Sequence, residues 1–149
     1  MRFYTHILFA LFLFLLVQDF TPLPHSFFSL PAVLLFSIIA DIDTPKSYLG
    51  RRVLPLSFLL KILFGHRKFF HSFLFLAIIA IPFFFVSVPL LYIFLLAAGS
   101  HLLLDALTPG GIMPFYPMKM RIRGPIRTGG IAEHLFCISL IFLIVLQTI

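Results

Sequence analysis

The stretch from Gly99 to Gly111 reads Gly-Ser-His-Leu-Leu-Leu-Asp-Ala-Leu-Thr-Pro-Gly-Gly and closes a long apolar run. Within it, His101 and Asp105 are four residues apart, a spacing that places both side chains on one face of a helix. Thr108, Pro109 and the two glycines predict that this helix ends directly afterwards. We therefore expect an imidazole and a carboxylate to point together from the end of an apolar helix.

The composition around this stretch is that of a membrane protein. Of the 149 residues, 61% are hydrophobic and only 11% are charged, whereas soluble domains carry about 25% charged residues. The apolar residues come in blocks, which predicts an all-α integral membrane protein. The single cysteine, Cys137, excludes an intrachain disulfide and a cysteine-based metal site.

Five apolar segments are candidate transmembrane helices in one membrane-embedded domain covering residues 1–149. A shorter apolar stretch, 53–64, predicts an additional interfacial or re-entrant helix. A signal peptide is the alternative for the first segment, but the residues after it offer no small-residue cleavage site. The five predicted spans are 3–17, 26–40, 69–88, 90–107 and 131–149.

The basic residues predict how the chain is oriented. Ten of the eleven Lys and Arg residues lie in two long loops, 41–68 and 108–130. The positive-inside rule places both loops in the cytoplasm of a multi-pass protein in the cell (inner or plasma) membrane. Because these charges flank apolar segments, the net charge of +6 indicates contact with anionic membrane lipid rather than with nucleic acid.

Most of the acidic residues and histidines fall at the predicted cytoplasmic ends of the segments. Such side chains are costly to bury in an apolar protein and are seldom present there without a partner or a function. We therefore expect them to converge on one site. The nine residues are His6, Asp41, Asp43, His66, His71, His101, Asp105, Glu133 and His134.

Imidazole nitrogens mixed with carboxylate oxygens suit Zn²⁺, Mn²⁺ or Fe²⁺. The candidates outnumber the ligands of one ion, so the pattern allows two ions, or one ion with outer carboxylates orienting its histidines. Arg67, Lys68 and Arg123 are candidates to hold an anionic group such as phosphate. Each feature alone also has a structural explanation: His101 and Asp105 could form a plain hydrogen bond, and Glu133 could be a first-turn acid favoured by the helix dipole.

Three motifs occur in a fixed order along the chain. The first is Asp41-Ile42-Asp43-x-Pro45-Lys46-Ser47-x-Leu49-Gly50-x-Arg52, and the second is Gly65-His66-Arg67-x-Phe69-x-His71-Ser72. The third is Ser100-His101-x-x-x-Asp105-x-x-Thr108-Pro109-x-Gly111, and Pro117 and Arg123-x-Pro125-Ile126 follow it. In these motifs the chain resembles the YdjM-like family of LexA-regulated, membrane-bound, metal-dependent hydrolases. His6 and Glu133 also match family positions, whereas His134 replaces a family arginine. The resemblance implies a metal-dependent hydrolase of the inner membrane.

The first functional hypothesis is thus an enzyme that hydrolyses a phosphoester or lipid-like ester at the cytoplasmic membrane interface, using one or two divalent ions, Zn²⁺ or Mn²⁺. The candidate metal ligands are His6, Asp41, Asp43, His66, His71, His101, Asp105 and Glu133. The candidate catalytic residues are Asp41, Asp43, His71, Asp105 and Glu133.

Two other functions are compatible with the same residues. A cation transporter would need polar residues along its spans, but residues 73–85 are wholly apolar apart from Pro82. A non-catalytic scaffold tied together by a metal ion would coordinate that ion fully with protein ligands.

Overall fold

A computed structural model describes residues 1–20, 29–65 and 67–149 of the chain. Throughout these residues the regular structure is helical, as predicted, and a single antiparallel bridge between Ile112 and Ile122 is the only β-type pairing found in them. Short 3₁₀ turns cover Gln18–Phe20, Ile39–Asp43, Gly50–Val53 and Phe69–His71. The α-helices are α1 (Phe3–Val17), α2 (Ser29–Phe36), α3 (Leu54–Phe64), α4 (Phe73–Val86), α5 (Val88–Ala106) and α6 (Ile131–Thr148).

Helix α5 is the centre of the bundle. It packs against α1, α2 and α4, while α6 packs on the far side of α1. Phe94, Ala97 and Ala98 of α5 are fully buried at this junction. Small side chains let neighbouring helices approach closely, which is how apolar helices associate where no hydrophobic effect drives them together.

Local signals in the sequence set the ends of α4 and α5. Ser72 and Ser87 are N-caps, and their side chains accept hydrogen bonds from the backbone N–H groups of Phe75 and Leu90. At the other end of α5, the Thr108 hydroxyl donates to the carbonyl oxygen of Asp105 at 2.8 Å. The chain therefore turns away immediately after Asp105, as the Thr-Pro-Gly-Gly sequence predicts.

The outer surfaces of α3, α4 and α6 are apolar and exposed. Ile131 and Ile138 of α6, Phe85 of α4 and Ile62 and Leu63 of α3 are each more than 60% exposed. Soluble monomers rarely present apolar surface this continuous. The surface suits contact with lipid.

The lengths of the helices do not support five spans. Only α5 and α6, among the described residues, are long and apolar enough to cross a membrane, and α1 and α4 are shorter apolar helices. At a rise of 1.5 Å per residue, the 15 residues of α1 extend about 22 Å, short of a hydrocarbon core of about 30 Å.

The second and third predicted spans differ most from the structure. Instead of 26–40, helix α2 covers Ser29–Phe36, because the chain then tightens into the 3₁₀ turn at Ile39–Asp43; residues 21–28 lie outside the described part. Instead of 69–88, helix α4 covers Phe73–Val86, because Ser72 caps it after the 3₁₀ turn. The other three predicted spans agree with α1, α5 and α6 to within two residues, and the predicted short helix is α3.

Candidate metal centre

Four side chains converge beside the C-terminal end of α5. The Nε2 atoms of His71 and His101 lie 3.4 Å apart. Asp41 Oδ1 is 3.8 Å from both of these nitrogens. Asp105 Oδ2 is 3.3 Å from His71 Nε2 and 3.8 Å from His101 Nε2. One ligand atom from each of the four residues thus lies within 4.8 Å of every other.

Three separate segments supply these four residues. His101 and Asp105 lie one turn apart on α5, as the spacing predicts. Asp41 comes from the 3₁₀ turn after α2, and His71 from the 3₁₀ turn before α4. Because α2 and α4 both pack on α5, their adjoining turns lie beside the end of the same helix.

The group is closed on most sides. His71 and His101 are completely buried and Asp105 is 1% exposed, whereas Asp41 is 18% exposed. Asp41 also lines a cavity of about 380 Å³, together with Arg67 and residues from the start of α1 and from the 44–51 loop. The cluster is therefore reached from one side, through Asp41.

The arrangement fits a divalent metal ion. Zn–N and Zn–O bonds of about 2.0–2.2 Å in a tetrahedron separate the ligand atoms by about 3.4 Å. Five of the six separations here run from 3.3 to 3.8 Å, and all four ligand atoms lie within 4.8 Å of one another. Asp105 Oδ2 is buried beside the cationic Arg67 Nη2 at 3.2 Å and His71 Nε2 at 3.3 Å, and positively charged neighbours of this kind stabilise a buried carboxylate. Two imidazole nitrogens and two carboxylate oxygens are a donor set suited to Zn²⁺ or Mn²⁺.

An outer group lies behind each histidine, and at His101 it forms a hydrogen bond. His101 Nδ1 lies 2.7 Å from the carbonyl oxygen of Ser37, so Nδ1 carries the proton and Nε2 turns its lone pair towards the cluster. His71 Nδ1 lies 4.0 Å from Asp43 Oδ2. Asp43 in turn accepts hydrogen bonds from the Thr44 hydroxyl at 2.9 Å and from the Arg67 backbone N–H at 3.1 Å. Asp43, a predicted ligand, thus lies behind His71 rather than among the four converging groups.

Arg67 closes the group at the loop after α3. Its Nη2 lies 3.2 Å from Asp105 Oδ2, and its Nη1 donates to the Thr108 hydroxyl at 3.4 Å. The guanidinium lies directly over Gly110, where any Cβ would collide with it. The backbone of Arg67 has a φ of 54°, a left-handed conformation that is uncommon for a residue other than glycine. The Pro-Gly-Gly sequence that ends α5 therefore also leaves space for this arginine.

The electrostatics of the two loop residues reflect their close contact. Burial opposes ionisation of Asp41, but the imidazoles of His101 and His71 hold the pKa of its carboxyl below the usual range. Burial also opposes the charged form of His71, yet the carboxylates of Asp105 and Asp41 raise the pKa of His71 to about 9. Without a metal ion, a proton on His71 therefore supplies the positive charge that the carboxylates require.

His6 borders the group. Its ring stacks on the ring of His101 with centroids 3.9 Å apart, and its Nε2 lies 3.5 Å from Asp105 Oδ1. The Met1 amino nitrogen lies 2.8 Å from the same Asp105 oxygen. His6 is thus next to the four residues but contacts the carboxylate oxygen that faces away from them.

Glu133 has a different environment, although it is also fully buried. One of its oxygens accepts hydrogen bonds from the Arg2 backbone N–H and the Thr5 hydroxyl, both at 2.6 Å. The other oxygen accepts one from the Gly129 backbone N–H. The carboxylate therefore joins the start of α6 to the start of α1. His134 bonds to the Gly130 carbonyl oxygen and is exposed. His66, the remaining predicted ligand, lies outside the described residues.

The predicted anion-binding residues are dispersed. Arg67 lines the cavity next to the cluster, whereas Lys68 and Arg123 line two other cavities. Three further basic residues, Arg2, Lys46 and Arg51, share the cavity with Arg67, and none of them was a predicted anion-binding residue. The sequence did contain one indication that Lys46 lies near the cluster, because Lys46 follows Asp41 by only five residues.

These features define a class of protein: an all-helical, strongly apolar protein with a buried His/Asp group that could hold a metal ion. The chain matches the family described as YdjM inner membrane protein over residues 1–148, and it belongs to that family. The resemblance to the YdjM-like family is thereby confirmed, and two of the relatives described below are inner membrane proteins by name.

Individual relatives agree with this assignment. The chain is 34% identical over 120 residues to the inner membrane protein YdjM of Escherichia coli (strain K12), covering 74% of this chain and 61% of the relative. The Shigella flexneri protein of the same name gives the same values. The uncharacterized protein YvsG of Bacillus subtilis (strain 168) is 37% identical over 107 residues, covering 66% and 64%. The chain thus spans about three fifths of the length of these curated relatives. No solved structure is significantly similar to the chain.

Proposed function

We propose that the protein is a membrane-bound, metal-dependent hydrolase that acts at the cytoplasmic membrane interface on a phosphoester or lipid-like ester. One observation carries the proposal: Asp41 belongs to the four-residue group and also to the wall of the adjacent cavity. An ion held by the group would be reachable from that cavity. A hydrolytic site requires such access, whereas a purely structural metal site is closed.

The residues divide into roles according to their burial. His71, His101 and Asp105 are buried and would hold the ion, Zn²⁺ or Mn²⁺. A bound ion of this kind lowers the pKa of water until hydroxide forms near neutral pH. Asp41 faces the cavity, so it is placed to accept the proton of the attacking water as a general base. Arg67 would stabilise negative charge on the reacting group.

The direct test has two stages. Metal content would be measured by mass spectrometry on protein purified in mild detergent, for the wild type beside His101→Ala and Asp105→Ala. We expect about one or two ions per chain in the wild type, and loss of metal in both variants, because the ligand set is then incomplete. The wild type would next be tested against phosphoesters and lipid esters. A well-folded wild type that takes up no Zn²⁺ or Mn²⁺ would overturn the proposal.

A metal-tied scaffold is the second candidate, and the supply of four protein ligands favours it, because structural ions are usually enclosed by four. Asp41→Asn separates the two functions. If Asp41 is the base, this variant keeps its metal and loses hydrolysis. If the ion only ties the segments together, no substrate is turned over by the wild type, and Asp41→Asn loses metal and stability instead.

We also propose that the chain crosses the membrane several times with both basic loops in the cytoplasm. The Phe73 N–H donates to the Pro114 carbonyl oxygen, and Arg67 bonds to Thr108, so the two loops meet at the end of the bundle that holds the cluster. A reporter fused after Ile149 tests the orientation. A chain with five crossings has that end outside the cell, and a cytoplasmic reporter would contradict it.

A further inference from the structure

The cavity beside the cluster has an unusual excess of positive charge. Among the described residues that line its volume of about 380 Å³, four are cationic, Arg2, Lys46, Arg51 and Arg67, and one, Asp41, is a carboxylate. The whole chain has eleven Lys and Arg residues. The concentration of four of them in one concave site creates a local field that attracts anions.

Two of the four cations are already engaged by neighbours. Arg67 contacts Asp105, and Arg2 donates to the Tyr4 hydroxyl at 2.9 Å. In contrast, among the carboxylates whose side chains the structure describes, none forms an ion pair with Lys46 or Arg51. Their charges are therefore available to a bound molecule.

The neighbouring Arg52 differs from Arg51 in its contacts. The Arg52 guanidinium stacks over the ring of Tyr48 at 3.9 Å from its centroid and donates to the Tyr48 hydroxyl at 2.8 Å. Arg52 is thus engaged by Tyr48, whereas Arg51 is among the residues that line the cavity. The two consecutive arginines therefore have different surroundings.

The chemistry of these groups selects a particular kind of ligand. A planar guanidinium and an ammonium bind the oxygens of a phosphate group with charge-assisted hydrogen bonds. A neutral carboxylic ester would leave both cations uncompensated. The two carboxylates of the cluster, Asp41 and Asp105, already offset the charge of a divalent ion, so the cavity remains positive when such an ion is bound.

We infer that this cavity is the recognition site for a terminal, dianionic phosphate group, held by Lys46 and Arg51 next to the four-residue cluster. The inference rests on the proposed function and narrows it, because it makes the substrate a phosphate monoester rather than a neutral ester. It also moves anion recognition away from Lys68 and Arg123, which line other cavities.

The test measures binding rather than turnover. Inorganic phosphate would be titrated into the metal-loaded protein in a neutral detergent and followed by calorimetry. In the double variant Lys46→Gln/Arg51→Gln we expect the Kd for phosphate to rise at least about tenfold, because two charge-assisted contacts are lost. Arg121→Gln is the matched control, since this exposed residue on the other basic loop does not line the cavity. Its Kd should stay within about twofold of the wild type. Equal losses in the double variant and the control, or no loss in either, would overturn the inference.

A second arm identifies the source of the phosphate. The same proteins would be titrated with dioctanoyl phosphatidic acid in mixed micelles. Loss of affinity for both probes in the double variant assigns recognition to the phosphate group itself. A wild type that binds only the lipid, with the same dependence on Lys46 and Arg51, assigns it to a lipid head group. Binding of neither probe overturns the inference.

The metal content of every sample separates this inference from the proposed function. The double variant should retain the metal content of the wild type, since neither residue belongs to the cluster. If phosphate binding depends on Lys46 and Arg51 but no substrate is hydrolysed, the hydrolase proposal fails and the binding site stands. If a neutral ester is hydrolysed equally well by the wild type and the double variant, the hydrolase stands and the inference fails.

Discussion

Two buried carboxylates, Asp105 and Glu133, differ in what surrounds them. Neutral backbone and hydroxyl donors satisfy both oxygens of Glu133. Asp105 instead lies among charged or ionisable partners: the imidazoles of His71 and His101, the guanidinium of Arg67 and the amino group of Met1. A carboxylate whose oxygens are hydrogen-bonded by neutral donors joins two helices. A carboxylate opposite two imidazole nitrogens belongs to a donor set that suits a metal ion.

The largest expected effect on metal affinity comes from replacing Asp105, one of the four residues of the cluster. Asp105→Asn keeps the size of the side chain but removes its negative charge. We expect the affinity for Zn²⁺ to fall by more than about 100-fold, beyond the range observed when only an outer supporting group is lost. Competition with a chelator of known affinity measures the change. Unaltered affinity would mean that the two carboxylates do not differ in the way proposed.

A smaller effect is expected at Asp43, which supports His71 from behind. Asp43→Asn should weaken metal affinity by about 10- to 100-fold without abolishing binding, as for other outer carboxylates that orient a ligating histidine. The same chelator competition applies. A loss as large as that of Asp105→Asn would instead place Asp43 in direct contact with the ion.

The pH dependence of metal binding offers a third test. Because the pKa of His71 is raised to about 9, a proton occupies this imidazole at neutral pH and must leave when an ion binds. Affinity for Mn²⁺ should therefore increase by about tenfold per pH unit between pH 6 and 8. His71→Gln removes the titrating group, and its weaker binding should show a flatter profile. A pH-independent wild type would contradict the assignment.

The same shift has a consequence for the metal-free protein. A group whose pKa is higher in the folded state stabilises the fold below its unfolded pKa, about 6.5 for histidine. That contribution is lost as the pH rises through about 9. Thermal unfolding of metal-free protein should accordingly shift to lower temperature between pH 7 and pH 9. A Tm that rises over this interval would be inconsistent with a proton held by His71.

The smallest expected effect on metal binding is at Glu133. Glu133→Gln should leave metal affinity within about twofold of the wild type, since its carboxylate contacts none of the four residues. Its cost should appear in stability, at about 1–3 kcal/mol, because one of its bonded N–H or O–H groups then faces an amide N–H. Unfolding in detergent measures the cost. A Glu133→Gln variant that loses its metal but keeps its stability would show that Glu133 binds the metal ion and does not join the helices.

Parts of this architecture were predictable because they depend on local sequence. The bounds of α1 follow from an uninterrupted apolar run, and the pairing of His101 with Asp105 follows from helical periodicity. The shortness of α2 was not predictable from hydropathy, because residues 37–40 are as apolar as the helix they follow, yet form turns. The sequence also could not separate Glu133 from Asp105. Both are acids near predicted helix ends, and their difference comes from partners on other segments of the chain: Arg2 and Thr5 for Glu133, and His71 for Asp105.

The position of the four converging residues along the chain has a consequence for biosynthesis. They all lie between Asp41 and Asp105, and α6 supplies none of them. The ribosome has therefore added all four of these residues before it translates the last helix. Ion uptake need not wait for completion of the chain, and insertion of α6 can act as a later closing step that fastens α1 through Glu133.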